Sequence, residues 1–182
     1  MPEKGAGPNL SLAVDGDKEN VIYALFVDQG NGLDIRLARS RNKGNTWEFT
    51  TVNDDASPAD QFSPAMDFDE DGNVAISFYD TRLSSTFETA HVFLATLTNG
   101  SRFDNQRITT ATSNDSKTNP LRDVTENLGD RTGIAVVSGK VIVVWTDTRS
   151  GSEDVFFSAI KVRLGGEQQR GNFQDDRNSP HD

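Results

Sequence analysis

The chain contains no cysteine, which excludes disulfides and thiolate chemistry and leaves the redox compartment unreadable. It has only two histidines, His91 and His181, and neither has a partner at metal-ligand spacing. No Ser-His-Asp set assembles around them. No apolar run approaches the roughly 18 residues that a membrane span needs. No basic cluster is present either. The 28 acidic residues outnumber 18 lysines and arginines for a net charge of -10, which argues against a nucleic-acid surface. Glycine-rich phosphate-binding motifs are absent. No segment sustains a helical period, so an all-β chain is expected.

What is there is a repeat, and a repeat decides the fold. Three segments share one pattern: NVIYALFVD ending at Asp28, NVAISFYDTR with Asp80, and KVIVVWTDTR with Asp147. Each is a β-branched and aromatic run closing on an aspartate. Apolar side chains at nearly every position predict a strand covered on both faces. A shorter run precedes each: LSLAVDGD, SPAMDFDEDG and TGIAVVSG. A second strand follows each: LDIRLARS, AHVFLAT and EDVFFSAI. Asp15-Gly16, Asp71-Gly72 and Ser138-Gly139 mark tight turns between the first two strands, because glycine there permits the positive φ of type I′ hairpins. Outer strands are expected near Glu48–Asn53 and Arg102–Thr110, with none clear in the third unit. Four-stranded up-and-down units at a spacing of about 50 to 65 residues read as β-propeller blades. The expected organisation is a short N-terminal extension over 1–8, three blades over 9–164, and a polar tail over 165–182. Ala111–Asn127 reads as a long loop between the second and third blades.

Between the third and fourth strands of the first unit lies SRNKGNTW, Ser40 to Trp47. It resembles the Asp-box, S-x-D-x-G-x-T-W, of the sialidase-like (BNR repeat) propeller superfamily, with Asn42 in the place of the aspartate. FSPAMDFDEDGNVAISFYDTR and GDRTGIAV extend the resemblance over most of residues 9–163. Asn42 preserves the physics of the motif, since its carbonyl oxygen can still accept backbone N–H bonds across the turn. The motif speaks for the fold and not for an activity, because in the superfamily it faces away from the site. The resemblance implies a six-bladed ring, glycan binding or exo-glycoside hydrolysis of the sialidase type, and a secreted location. The N-terminal MPEKGAGPNL shows no apolar signal region.

Family sites occupy the rim formed by the connections from strand four to strand one and from strand two to strand three. On that rim stand Asp60 in the second unit and Asp130 and Arg131 in the third, with Arg82 and Arg149 at the Asp-Thr-Arg corners. Asp130 and Asp60 are the candidate acid/base residues. Arg131, Arg82 and Arg149 are candidates to grip a sugar carboxylate. The plainer alternative is that Asp-Thr-Arg, recurring in two units, holds each blade together, with Asp80 and Asp147 as the arginines' partners. A sialidase also needs a nucleophilic tyrosine polarised by a glutamate. Tyr23 and Tyr79 both lie in core-patterned strands, and the Phe/Tyr-Arg-Ile-Pro motif of true sialidases is not found.

Asp67, Asp69, Asp71 and Gly72 spell D-x-D-x-D-G, the opening of a calcium loop. Phe78 stands where an EF-hand needs glutamate, so an acidic hairpin turn is the plainer reading. No other cofactor is implied. Three blades cannot close a ring, since natural propellers use about four to eight. The missing part is expected from the rest of a longer protein, from a second copy of the chain, or from another chain. The alternative to a glycan-directed protein is a non-catalytic propeller used for binding or assembly.

Overall fold

The computed structural model describes residues 9–14, 20–30, 32–98, 102–113, 132–151, 153–162 and 164. Among these there is no helix and there are eleven strands in three antiparallel sheets. Blade one is β1 (Ser11–Val14), β2 (Ile22–Gly30), β3 (Gly32–Ser40) and β4 (Glu48–Thr51), in that spatial order. Blade two is β5 (Gln61–Phe68), β6 (Val74–Asp80), β7 (His91–Thr98) and β8 (Arg102–Arg107). Blade three is β9 (Gly133–Val137), β10 (Lys140–Asp147) and β11 (Asp154–Lys161). Sequential up-and-down sheets of this kind are the blades of a β-propeller, and the chain supplies a three-bladed arc of it.

The three apolar runs form the second strand of each blade, but their burial is not equal. Every residue of β6 is buried. In β10 buried positions alternate with half-buried or exposed ones, and β2 alternates in the same way along its first half. Blade two has a neighbour on each face, and blades one and three have one each. Two apolar layers result. Tyr23, Leu25 and Leu37 of blade one meet Ile76, Phe78 and Phe93 of blade two. On its other face, Tyr79, Val92 and Leu94 meet Val141, Val143 and Trp145 of blade three.

The turns differ from one another. Ser138 and Gly139 both have positive φ (48° and 75°), as the two-residue hairpin between β9 and β10 requires. The β5–β6 connection is longer than a two-residue turn. Asp69 organises it, accepting the N–H groups of Asp71 and Asn73 on Oδ1 at 3.1 and 2.8 Å, while Gly72 takes the positive φ (78°). The Asp15-Gly16 turn lies outside the described residues.

β5 carries a register shift between Phe62 and Ala65, with Ser63 at a φ of 49°. Pro64 fits there because a bulge on the first strand of a blade needs no ladder N–H. Ser63 O, left free of the ladder, accepts the hydroxyl of Thr132 from the start of blade three.

Candidate functional site

The SRNKGNTW turn is closed by its own side chains. Ser40 Oγ accepts the Gly44 N–H at 2.8 Å, and Asn42 Oδ1 accepts the Thr46 N–H at 2.9 Å. Lys43 and Gly44 both take positive φ, and the Trp47 indole N–H returns to the Gly44 carbonyl at 3.1 Å. Asn42 therefore makes the backbone bond expected of an aspartate there. The Ser40, Asn42, Thr46 and Trp47 side chains all bond within the turn, the Lys43 N–H donates to the Asn20 carbonyl at 3.1 Å, and the turn lies at the opposite end of β3 and β4 from the rim described next.

That rim is built where the link after β4 passes the corners of blades one and two. Asn53 is buried and ties the link to blade one: its Oδ1 accepts the Ile35 N–H at 3.0 Å, and its Nδ2 donates to Asp34 at 2.8 Å and, within the link, to Asp55 at 3.0 Å. Asp60 Oδ1 accepts the Leu33 N–H at 3.1 Å, and its main chain is bonded in both directions to Thr81. Gly32 is forced here. It has a φ of 114°, and a Cβ on it would stand 2.5 Å from the Ala59 carbonyl oxygen.

Arg82 sits in the middle of these carboxylates. Its Nε and Nη2 donate to Asp80 Oδ2 at 2.7 Å, Nη1 pairs with Asp54, and Nη2 lies 3.4 Å from Asp55. Its guanidinium also covers the Phe93 ring at 4.7 Å. Arg149 repeats the pattern with fewer partners. Nε and Nη2 donate to Asp147 Oδ2 at 3.0 and 2.7 Å, Nη1 donates to the Thr110 hydroxyl at 3.0 Å, and the plane covers Phe156 at 4.6 Å. The repeating device is thus larger than Asp-Thr-Arg. It includes an aromatic in the next strand, Phe93 in HVF and Phe156 in DVF, which the sequence analysis did not connect with the arginine. Blade one has Gln29, Gly30 and Arg36 in the matching places and lacks the device.

The two corner aspartates titrate in opposite directions. Burial raises Asp80 above the usual carboxylate range, and Arg82 pulls it back only in part. Burial also acts on Asp147, but the hydrogen bonds from Arg149 and from the Trp145 indole outweigh it and hold the carboxyl below that range. Two differences explain the contrast. Trp145 Nε1 donates to Asp147 at 2.9 Å, whereas the residue matching it in blade two is Phe78, which has no donor. Arg82 also divides its charge among three carboxylates. Asp55 lies below its usual range as well, because the Ser57 hydroxyl, the Asn53 amide and Arg82 together outweigh its burial.

The other expected residues fall as follows. Asp130 and Arg131 lie outside the described residues, as does His181. Tyr79 is fully buried and donates to the Thr146 carbonyl at 2.6 Å, and burial first and Asp147 second push its phenol far up. Tyr23 is buried in the layer between blades one and two. His91 is buried against the Thr109 hydroxyl at 2.9 Å and is shifted down by burial and by Arg107 and Arg149. Asp67, Asp69 and Asp71 are not brought together. Asp67 Oδ2 turns across to the Val136 N–H of blade three at 2.7 Å, while Asp69 is spent on its own loop. Among the described residues, no three histidine, aspartate or glutamate side chains are placed to hold a metal ion. The geometry is that of an acidic hairpin turn. No helix among the described residues is long and apolar enough to cross a membrane. Asp54 and Asp55 were missed in the sequence, because nothing in VNDDASPAD marks it as meeting a corner of another blade; so was Asn105 of β8, whose Oδ1 accepts from Arg82 Nη2 at 3.2 Å and from the Asp54 N–H at 3.1 Å.

No protein-family model matches the chain, and no curated protein matches it. Solved structures do. A thermostable family-43 glycoside hydrolase matches at 12% identity and a TM-score of 0.47, over 80% of this chain and 49% of its own. An endo-arabinase from Bacteroides thetaiotaomicron matches at 15% and 0.48, over 84% and 55%. A variant of an α-L-arabinofuranosidase from Fusarium graminearum, in complex with an iminosugar inhibitor, matches at 11% and 0.49, over 85% and 46%. The chain spans about half the length of each of these structures.

Proposed function

We propose that this chain is part of a glycan-directed propeller that binds or hydrolyses sugars at the rim carrying Asp34, Asp54, Asp55 and Asp60. One observation carries the reading. On that rim, loops of two blades bring carboxylates and amides together around Arg82, while the opposite end of β3 and β4 is a turn closed on itself. Carboxylates and amides supply the acceptors and donors that sugar hydroxyls need. The resemblance to sialidases adds an acid/base carboxylate, for which Asp60 and Asp130 are the candidates, and an arginine for a ligand carboxylate. Arg131 takes that role here, because Arg82 and Arg149 are held as braces by Asp80 and Asp147.

A non-catalytic binding module is the second reading, and the tyrosines favour it. Tyr79 is locked to Thr146, and Tyr23 is buried between blades, so neither is presented as a nucleophile. The test is calorimetric titration of the chain with sialyllactose and with arabino-oligosaccharides, alongside fluorogenic sialoside and arabinofuranoside assays. Binding weakened about tenfold or more by Arg131→Ala supports the rim as the ligand face. Turnover lost in Asp60→Asn with binding retained makes the protein an enzyme. Absence of both binding and turnover with every glycan overturns the glycan reading.

A further inference from the structure

Residues 81–90 join β6 to β7 and form the longest of the three connections between a second and a third strand. They run along the rim from Arg82 and are fixed at both ends. The Thr81 N–H donates to the Asp60 carbonyl at 3.1 Å, and Ala90 exchanges two backbone bonds of 2.9 Å with Ser113 in the link after β8. Ser84 holds the middle. Its N–H donates to the Thr81 carbonyl at 2.9 Å, and its Oγ accepts the N–H groups of Glu88 and Thr89 at 3.2 and 3.4 Å.

Two apolar side chains of this pinned loop stand apart from the core. Leu83 is 55% exposed and directly follows the arginine that gathers Asp54 and Asp55. The other exposed large hydrophobics among the described residues stand in β1, β4, β9 and β11 or one residue from them, so Leu83 is the one carried by a rim connection. Phe87 is half-buried and belongs to neither of the two apolar layers. Its φ is 56°, in the left-handed region where a bulky side chain is strained. Glycine would make the same turn without that cost. Strain of this kind persists where the surroundings enforce it, and it clusters at surfaces that meet ligands.

We propose that Leu83 and Phe87 form an apolar platform for the C–H face of a sugar ring whose hydroxyls turn to the carboxylates beside Arg82. This rests on that rim being the glycan face. A sugar ring is amphipathic. Its hydroxyls need acceptors and donors, while its C–H face gains by leaving water for apolar surface. Ligand sites combine apolar, often aromatic, lining with a few placed polar groups. Here the two kinds of group meet at one corner, since Arg82 both gathers the carboxylates and opens the loop that bears Leu83 and Phe87.

The test is calorimetric titration of the full chain and two variants with sialyllactose and with arabino-oligosaccharides, alongside melting curves. Phe87→Gly removes the ring and relieves the backbone. Binding of whichever glycan the wild type takes should weaken about fivefold or more, while the melting temperature stays level or rises. Leu83→Ala should weaken the same binding about twofold or more with no change in melting temperature, because its side chain is exposed. A clear fall in the melting temperature of Phe87→Gly makes the ring a packing residue and overturns the proposal. Glycan binding that Leu83→Ala and Phe87→Gly leave unchanged overturns it too, and the rim then remains the glycan face without a platform. A wild-type chain that binds none of these glycans overturns the platform together with the reading it rests on.

Discussion

Asp80 and Asp147 occupy matching positions, carry the same Thr-Arg sequel and are both fully buried, yet they are not worth the same to the fold. Among the described residues Asp147 is the only carboxylate paired with Arg149, whereas Arg82 retains Asp54 and Asp55 if Asp80 is neutralised. Asp147→Asn should therefore destabilise the chain by about 3 kcal/mol, the scale of a broken buried pair, and Asp80→Asn by less than half of that. Equilibrium denaturation checks the ranking, and equal losses would show that the shared partners do not matter. The pH dependence follows from the same groups. Asp147 is depressed, so its contribution is full above the ordinary value of 3.8 and is lost as pH falls through its lower folded value. Asp80 is raised and works in the opposite sense, gaining stability as it protonates on the way down to 3.8. His91 is depressed from 6.5, so the unfolded chain takes up its proton first and stability declines as pH drops below 6.5. In His91→Gln that decline should vanish from the melting profile between pH 7 and 5, while the acid limb owed to Asp147 should persist.

At the scale of strands and turns, the joints matter more than the strands. Gly32→Ala should cost about 2 kcal/mol or more, because it combines a φ of 114° with a 2.5 Å approach to the backbone of the link before β5. Tyr79→Phe removes the hydroxyl that ties blade two to Thr146 of blade three and should cost about 1 to 2 kcal/mol, leaving a carbonyl without its donor. Chelator should leave the melting temperature unchanged, since Asp67 and Asp69 are occupied by backbone N–H groups; a fall would restore calcium to the β5–β6 turn. These joints separate what sequence could reveal from what it could not. The strands were legible because β-branched runs closing on aspartate recur, and because glycine marks the hairpins. The Ser40–Trp47 turn was legible for the same reason: its bonds are local. The Arg82 cluster was not, because Asp54 and Asp55 come to it from the link after β4 and Asn105 from β8. The aromatic beneath each arginine escaped notice because Phe93 and Phe156 read as ordinary core residues of their strands.

For the whole molecule, the arc explains why stability should be graded along the chain. Blade two is clamped on both faces and all of β6 is buried, whereas β1 and β11 each turn one apolar side outward. Local opening costs range from near zero at such edges to the full unfolding free energy in the middle. A net charge of -10 adds self-repulsion that salt relieves, so the gradient should be steepest at low ionic strength. In dilute chain, backbone amides of β6 and β7 should exchange slowest, and those of β1 and β11 should exchange about 100-fold faster or more. Uniform protection of all three sheets in dilute solution would mean that the end blades are held as firmly as the middle one. In that case the unequal burial of the three sheets would not set their local stability, and the two-sided packing of β6 would not be what holds the middle blade longest.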